Sequence, residues 1–489
     1  MSARELIDVV LDQGSFESWD RPIEQPDPGK AEPGAVGLDE PESEAGRPEA
    51  VSYGEQLAAA AGRAGTDEAV VTGRGLMRGR AVAVVVSEFG FLGGSIGRAA
   101  AARIAEAVVR ATGEGLPVLA STASGGTRMQ EGAPAFVEMV RISRALMAHK
   151  AAGLPYLVHL RHPTTGGVFA SWGSLGHITV AEPGALVGFL GPKVYEALYG
   201  EAFPAGVQTA ENLAAHGVID GVVESAELPV LLDRALGVLV DPPTEPVLTR
   251  RTGEAGPADG WDSVLRTRRP DRIGVRDLLR HGATSTVRLT EPDASILVAL
   301  TRLDGRPCVL VGQDRSQNKA MGPTALRQAR RGMRLAEDLG LPLVTVIDTP
   351  GAELSREAEE GGVAAEIAQC IATLATLKVP TISVLLGQGT GGGALALLPA
   401  TTVIAAEHAW LAPLPPEGAS AIMYGDTTHA PAMASTQRIT AADLKEIGTV
   451  HHVIPEPDDD TPESLAKAIA AECAAHLSGD RREQLADLG

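Results

Sequence analysis

A chain of 489 residues is too long for one ordinary hydrophobic core, and its length suits two domains joined by linkers. Its net charge of −20 argues against nucleic acid as a partner, since phosphate contacts need a basic surface, although a local basic pocket can still bind a small anion. The three cysteines, Cys308, Cys370 and Cys473, are too widely spaced for a zinc ribbon or a disulfide framework, which favours a reducing, cytoplasmic compartment.

The chain divides by composition into five stretches. Residues 1–20 predict a short amphipathic segment, and residues 21–50, rich in proline, glycine and acidic side chains, predict a flexible linker. We expect an N-terminal domain over 51–240, a second linker over 241–260 and a C-terminal domain over 261–489. The first residues lack the apolar core of a signal peptide, and no apolar run is long enough for a membrane span, so we expect no membrane contact.

The two predicted domains repeat each other. Pro117 and Pro342 each precede an apolar run, Pro155 and Pro380 precede the next one, and both pairs are 225 residues apart. The same offset carries Gly166-Gly167 onto Gly391-Gly392 and Val84-Val85-Val86 onto Val309-Leu310-Val311. One gapless register over strands, turns and glycines predicts two copies of one fold. The alternative, two unrelated domains that share common dipeptides, would need this register to arise by chance.

Each half alternates short apolar strands with alanine-rich stretches of helical composition. These stretches cover residues 98–111, 134–148, 324–339 and 364–376. Such alternation predicts an α/β fold, with parallel strands and helical crossovers.

A glycine-rich turn follows the second strand of each half. Glycine permits positive φ and close approach, and a turn that opens a helix leaves N–H groups free. Two consecutive N–H groups can point at one oxygen, as in an oxyanion hole, and one such turn per half suggests two carbonyls or two developing anions in one reaction. Packing alone is the alternative role. The residues concerned are Gly166, Gly167, Val168, Gly392, Gly393 and Ala394.

A further turn, around Ser124 and Arg128, is compatible with a phosphate cradle or with a capped helix start. It lacks the Gly-Lys-Ser/Thr ending of a Walker loop, and the chain has no Gly-x-Ser-x-Gly elbow. The histidines, including the pair His451-His452, show no metal-binding pattern, so we expect no metal site. The lack of a candidate side-chain base fits a reaction whose base comes from a cofactor.

At these motifs the chain resembles the carboxyltransferase family of acetyl-CoA carboxylase and related acyl-CoA carboxylases. Residues 65–225 are similar to the bacterial β subunit, and residues 261–456 are similar to the α subunit. The motifs that carry the resemblance lie at 89–97, 124–132, 166–168, 181–189, 347–352, 378–380, 391–396, 416–420 and 444–448. The resemblance implies that both halves are fused in one chain.

The resemblance also implies two tandem crotonase-like domains, with acyl-CoA mainly on the first half and carboxybiotin mainly on the second. In the family, biotin gives up its carboxyl group, its ureido nitrogen removes the α-proton of the thioester, and the enolate attacks the released CO2. The turn at Gly166, Gly167 and Val168 would hold the thioester oxygen. The turn at Gly392, Gly393 and Ala394 would hold the ureido oxygen. We expect further substrate contacts from Gly93, Gly94, Ser124, Gly125, Gly126, Arg128, Gly351 and Ala352.

Several features depart from the family pattern. The four-cysteine ribbon that often precedes the β-type core is missing, so no zinc is expected, and residues 423–428 differ from the α-subunit pattern. No Met-Lys-Met biotinylation site and no ATP-binding domain appear. We therefore expect a separate biotin carboxylase and biotin carboxyl carrier protein as partners. The resemblance also implies a homodimer, with a hexamer as the alternative.

Three other functions stay open from the sequence. A decarboxylase subunit acting on malonyl or another β-carboxy thioester would share the enolate-stabilising site. A crotonase-type hydratase or isomerase would need a carboxylate pair beside the oxyanion hole, and no pair is evident at Gly166-Gly167. A non-catalytic structural partner would not need intact glycine turns in both halves.

Overall fold

The computed structural model describes residues 1–23, 51–253, 255–256, 258–291, 294–317 and 319–477. All but the first three residues of the predicted linker 21–50 therefore lie outside the described residues. The chain forms two compact units, Met1–Asp233 and Arg234–Gly489. Among the helices that the structure describes, none combines the length and the apolar character needed to cross a membrane.

The first unit is built on an eight-stranded sheet with the order β1-β2-β3-β4-β5-β6-β8, and β7 pairs with the end of β5. The strands from β3 to β8 pair in parallel, whereas β1, β2 and β3 are antiparallel neighbours. The strands are β1 (Glu17–Ser18), β2 (Val70–Met77), β3 (Arg80–Ser87), β4 (Val118–Ser124), β5 (Tyr156–Thr165), β6 (Ile178–Ala181), β7 (Val187–Gly188) and β8 (Gly221–Val222). The helices are α1 (Ala3–Val10), α2 (Tyr53–Ala64), α3 (Arg98–Glu114), α4 (Gly132–Ala151), α5 (Gly166–Phe169), α6 (Pro192–Tyr199), α7 (Ala210–Ala215) and α8 (Leu228–Leu239), the last of which runs across residue 233.

The second unit repeats this topology, with the order β9-β10-β11-β12-β13-β14-β16 and with β15 beside the end of β13. Its strands are β9 (Ala283–Arg288), β10 (Ile296–Leu303), β11 (Arg306–Gln313), β12 (Leu343–Thr349), β13 (Thr381–Thr390), β14 (Thr402–Ala406), β15 (Trp410–Ala412) and β16 (His452–Ile454). Its helices are α9 (Gly260–Thr267), α10 (Val275–Gly282), α11 (Pro323–Leu339), α12 (Arg356–Glu360), α13 (Val363–Thr376), α14 (Gly391–Leu395), α15 (Pro416–Tyr424), α16 (Ala430–Thr436), α17 (Ala441–Glu446) and α18 (Pro462–Leu477).

The four predicted helices are confirmed as α3, α4, α11 and α13. In the first unit the small and branched side chains of α3, such as Ile104 and Val108, pack with Ile142 of α4 and Val158 of β5 in one buried core. This packing buries one face of a mainly parallel sheet under helices, as the alternating pattern predicted.

The single predicted offset of 225 residues is wrong by one residue at two strands, β3 and β6. In the first unit Ala83 of β3 pairs with Val118 of β4, and the equivalent pair in the second unit is Val309 with Leu343. The residues equivalent to Val309-Leu310-Val311 are therefore 83–85, where the offset is 226. It is 225 from α3 to β5, and it is 224 at β6, because Ala181 pairs with Leu160 whereas Ala405 pairs with Leu385. The loop from β11 to α11 is one residue shorter than the loop from β3 to α3, and exposed loops tolerate such deletions while strands keep their faces.

Candidate active site

In the first unit, the chain turns from β5 into α5 at Gly166, whose φ of +63° favours glycine. Its own N–H is already used, because it donates to the Phe189 carbonyl at 3.0 Å. The next two N–H groups, of Gly167 and Val168, lie in the first helical turn, and no acceptor for them is present among the described residues. Two adjacent backbone donors are therefore available at this point.

The loop that follows β4 lies directly against this turn. The Ser124 hydroxyl accepts from the Gly126 N–H at 3.0 Å and donates to the Gly94 carbonyl at 2.5 Å. The Gly93 carbonyl accepts from the Gly125 N–H at 2.9 Å. A Cβ atom on Gly126 would sit 3.7 Å from the Gly167 nitrogen. The structure thus brings the predicted residues at 93–94, 124–126 and 166–167 together around the two free donors.

Arg128 is placed differently from these glycines. Its side chain is only 1% exposed, and its guanidinium forms a bidentate ion pair with the buried carboxylate of Glu68. It also donates to the Ser95 carbonyl at 2.8 Å and lies 3.3 Å from a Glu131 oxygen. The positive charge that the sequence suggested for a ligand is therefore engaged within the protein, behind the turn.

The second unit builds an equivalent turn at the end of β13. Gly391, with a φ of +59°, begins α14 as Gly166 begins α5. A Cβ atom on Gly393 would sit 3.0 Å from the Gly351 carbonyl carbon and 3.1 Å from the Ala352 nitrogen. The predicted residues Gly351 and Ala352 therefore lie against the first turn of α14, as Gly126 lies against α5.

The equivalence of the two helix starts refines the predicted donor set. Because Gly391 corresponds to Gly166, the residues that correspond to Gly167 and Val168 are Gly392 and Gly393. Ala394 corresponds to Phe169 and is fully buried one position further along α14. No acceptor for the N–H groups of Gly392 and Gly393 is present in the described part of the chain.

Two polar side chains that the sequence did not single out as site residues support this turn. Gln313, at the end of β11, donates from Nε2 to the Gly393 carbonyl at 2.7 Å and accepts at Oε1 from the Asp348 N–H at 2.9 Å. Asp348 accepts from the Gln388 N–H at 3.0 Å and from Arg315 at 3.2 Å. Burial raises the pKa of the Asp348 carboxyl above its ordinary value. The available signal in the sequence was a polar residue at or next to the end of a largely apolar strand, Gln313 in β11 and Asp348 in β12.

A cavity of about 300 Å³ opens beside this turn, and its volume is at the lower end of the range of small-molecule sites. Both Gln313 and Asp348 line it, together with the basic side chains of Arg268, Arg315 and Lys319. With the carboxylates of Asp314 and Asp348 also in the lining, the pocket has a small excess of basic groups beside the second glycine turn of a chain whose net charge is −20.

These arrangements suit the stabilisation of negative charge on oxygen. Backbone donors are fixed by the helix start and need no reorganisation, and removal of one such donor typically costs about 3–4 kcal/mol in the barrier. Val168 and Ala394 are fully buried beside the two turns, so apolar surroundings strengthen each hydrogen bond.

Comparison with known proteins agrees with this geometry. A family model described as carboxyl transferase domain matches residues 50–478. A relative from Mycobacterium tuberculosis, named probable biotin-dependent acyl-coenzyme A carboxylase beta3 subunit, is 56% identical over 98% of this chain and 95% of its own length. A relative from Salinispora arenicola, named acetyl-coenzyme A carboxylase carboxyl transferase subunits beta/alpha, is 38% identical over 87% of this chain and 80% of its own length.

The solved structure of transcarboxylase 12S superimposes with a TM-score of 0.75 at 22% identity, covering 98% of this chain and 90% of the other. A single-chain long-chain acyl-CoA carboxylase gives a TM-score of 0.72 at 19% identity, covering 98% of this chain and 46% of the other. The expected pair of tandem crotonase-like domains is confirmed by these likenesses. With a family model over most of its length and a relative of 56% identity over nearly all of it, the chain belongs to the carboxyl transferase family and is a carboxyltransferase.

Proposed function

We propose that this chain transfers a carboxyl group from carboxybiotin, carried on a separate protein, to the α-carbon of acetyl-CoA or another short acyl-CoA. The observation that carries the proposal is the duplicated turn: each unit ends its long central strand in a glycine that starts a helix and leaves two N–H groups without an acceptor among the described residues. The reaction has two carbonyl oxygens to hold, one on the thioester and one on the ureido ring.

The second turn has the properties that a ureido ring needs. The N–H groups of Gly392 and Gly393 face no acceptor in the described chain. The adjoining cavity of about 300 Å³ is lined by Lys319 and by Arg315, whose guanidinium also contacts Asp348 at 3.2 Å, and these positive charges suit an anionic carboxyl group. When bound there, carboxybiotin would supply the carboxyl group and a ureido nitrogen able to accept a proton.

The first turn would bind the acyl thioester. Donors at Gly167 and Val168 would hold the thioester oxygen and stabilise the negative charge that grows on it as the α-proton leaves. Gly93, Gly94 and Gly125 keep the neighbouring loop free of side chains, so that a substrate can approach the backbone. The chain's own residues thus bind the thioester and polarise its carbonyl group, while the group that accepts the α-proton belongs to the cofactor.

The names of the relatives support an acyl-CoA substrate without fixing the acyl group. The Mycobacterium tuberculosis relative is named for acyl-coenzyme A, the Salinispora arenicola relative for acetyl-coenzyme A, and the transcarboxylase structure was solved with methylmalonyl-coenzyme A bound. We propose biotin carboxylase and biotin carboxyl carrier protein as partners, a cytoplasmic location, and a homodimer or hexamer. A hexamer is the assembly named for transcarboxylase 12S.

The proposal is tested by reconstitution. The purified chain is mixed with biotin carboxylase, biotinylated carrier, ATP and labelled bicarbonate, and a panel of acyl-CoA esters of increasing length is offered. We expect label in the β-carboxy product only when all three proteins are present. Carboxylation without the carrier would contradict the proposed carboxyl donor, and loss of CO2 from malonyl-CoA in the absence of any carrier would favour the decarboxylase alternative.

A further inference from the structure

Three side chains of the second unit converge at the edge of its sheet. His452 is the first residue of β16, and Glu472 and His476 lie one turn apart on α18. The Glu472 Oε1 atom is 3.2 Å from His476 Nε2 and 3.6 Å from His452 Nδ1, and one ligand atom from each residue lies within 4.8 Å of the others. We call these three residues the edge cluster. The fold brings them together from separate elements, which is why the histidine spacing showed no metal pattern.

The edge cluster is separate from the glycine turn of the same unit. His452 pairs with Ile404 of β14, which pairs with Val384 of β13, so it is level with the middle of β13 and two strands away. The turn at Gly391 begins only after the end of β13. None of the three side chains lines the cavity beside that turn.

The atoms of the edge cluster match a cation site in type and spacing. Two imidazole nitrogens and one carboxylate oxygen form the His2Glu set of zinc sites that keep a fourth position for water. Tetrahedral zinc with bonds of about 2.0–2.1 Å separates its ligand atoms by about 3.3 Å, close to the observed 3.2 and 3.6 Å. Glu472 is 4% exposed whereas His452 and His476 are 39% and 25% exposed, so water can reach the fourth position.

Arg250 is the obvious competitor for the carboxylate. It donates from Nε to one Glu472 oxygen and from Nη2 to the other, both at 2.7 Å. Each carboxylate oxygen has two lone pairs, so Oε1 can keep one for the side where the histidines lie. An arginine in this place orients the carboxylate as outer-shell partners of metal ligands do, and its charge lowers the affinity for a cation without closing the site.

We propose that His452, Glu472 and His476 form a binding site for one divalent transition-metal ion of the Zn²⁺ type, which fastens helix α18 to the edge strand β16. Imidazole ligands select such ions over Mg²⁺ and Ca²⁺, which prefer all-oxygen sites. The bound ion cross-links two elements that are distant in sequence, and it stabilises the folded chain because the ligands converge only when it is folded.

The test uses the full chain without a polyhistidine tag and Co²⁺ as a visible probe. We expect saturable binding of one Co²⁺ per chain, with the visible absorption typical of four-coordinate nitrogen and oxygen ligands, displacement by Zn²⁺, and a higher unfolding temperature with Zn²⁺ but not with Mg²⁺. Absence of saturable Co²⁺ absorption in the unmodified chain overturns the proposal without any variant.

Variants then locate the ion. His476→Gln lies in the last turn of α18 and keeps a donor for Glu472, so it should fold and weaken Co²⁺ binding by about tenfold or more, and His452→Gln should do the same. His216→Gln is the matched control, because His216 lies in the first unit, is exposed, and donates from Nδ1 to the Asn212 carbonyl at 2.8 Å. Equal Co²⁺ affinity in wild type and in a folded His476→Gln chain would place the ion elsewhere and refute the edge cluster.

Discussion

Ser124 and Thr349 hold the same place in the two halves of the chain: each hydroxyl accepts a hydrogen bond from the glycine N–H two residues later, at 3.0 Å from Gly126 and at 3.1 Å from Gly351. Both glycines have positive φ, 110° and 136°. Gly126 lies against the glycine turn that begins α5, and Gly351 lies against the turn that begins α14. The hydroxyl therefore holds a loop whose backbone conformation favours glycine at Gly126 and Gly351. The same hydroxyl-to-glycine hydrogen bond in both units indicates that the two units share the geometry of this loop.

Removal of either hydroxyl should loosen one turn only. Thr349→Val keeps the branched shape but loses the hydrogen bond, and Ser124→Ala loses it in the first unit. A neutral hydrogen bond is worth about 0.5–1.5 kcal/mol, so we expect each variant to lose between twofold and about tenfold in kcat/KM. If the first turn binds acyl-CoA and the second turn binds carboxybiotin, Ser124→Ala should raise KM for acyl-CoA and Thr349→Val should raise KM for the carrier.

Steady-state kinetics, with each substrate varied in turn, gives the KM for acyl-CoA and the KM for the carrier in each variant. Thr349→Ser retains the hydroxyl and is the matched control, which should behave as the wild type. If both variants changed the same KM, the assignment of one substrate to each turn would be wrong.

Disturbing the backbone N–H donors should reduce turnover far more than removing either hydroxyl. A Cβ on Gly167 would lie 3.1 Å from Thr127 Oγ1, so Gly167→Val forces the turn and its N–H groups out of position. Ala394→Pro places a proline ring directly after Gly392 and Gly393, where it clashes with the preceding turn of α14 and displaces their N–H groups. We expect about a hundredfold loss of turnover or more from each, the usual effect of one oxyanion donor.

Gly113→Ala is the control for the glycine substitutions, since its Cβ would meet no atom within 4 Å and a helical alanine is favourable. Near-normal turnover by folded Gly167→Val and Ala394→Pro chains would remove the oxyanion role from both turns. Loss of turnover in Gly167→Val alone would limit the oxyanion role to the first turn.

Arg128 should prove to be a structural residue. Glu68→Gln removes the bidentate partner of its buried guanidinium and leaves only the Glu131 oxygen at 3.3 Å as a counter-charge, and breaking a buried ion pair in this way typically destabilises a protein by about 3–5 kcal/mol. Arg356→Gln, which breaks the pair with Glu360 where the side chains are 81% and 64% exposed, should cost less than about 1 kcal/mol. Urea unfolding of both variants gives the comparison. A Glu68→Gln chain of unchanged stability whose KM for acyl-CoA is altered would restore Arg128 as a ligand-binding residue.

Features that depend on a local sequence pattern could be predicted from the sequence, whereas contacts between residues that are distant in sequence could not. The repeat, the four helices and the glycines that meet at each turn follow from spacing and from conformational needs that are visible in the residues themselves. The partner of Arg128 is Glu68, from a different element, and no pattern signals such a pairing. The one-residue shift at β3 was missed because a gapless comparison has no place for a loop deletion. His452 and Glu472 meet only because the fold brings the C-terminal part of α18 to the start of β16.

The buried carboxyl of Asp348 gives a prediction for pH. Its ordinary pKa is 3.8, and burial raises the pKa in the folded chain despite the opposing influence of Arg315 and the Gln388 N–H. A group with a raised folded pKa contributes stability that is fully present below its unfolded pKa and is lost as pH rises through the folded value. Asp348→Asn removes this titration while keeping a similar shape. The variant should therefore gain stability relative to the wild type as pH rises from about 4, and the difference should level off once the folded carboxyl is ionised.

Urea midpoints of wild type and Asp348→Asn, measured across this pH range, give the difference directly. The control is Asp458→Asn, at a side chain that is 92% exposed, which should follow the wild type at every pH. The sign of the change with pH in the stability difference between the two chains shows whether burial raises the pKa of Asp348. A wild type that gains stability over Asp348→Asn as pH rises would mean that Arg315 and the Gln388 N–H outweigh burial, and that Asp348 sits beside the second turn as a stabilised anion.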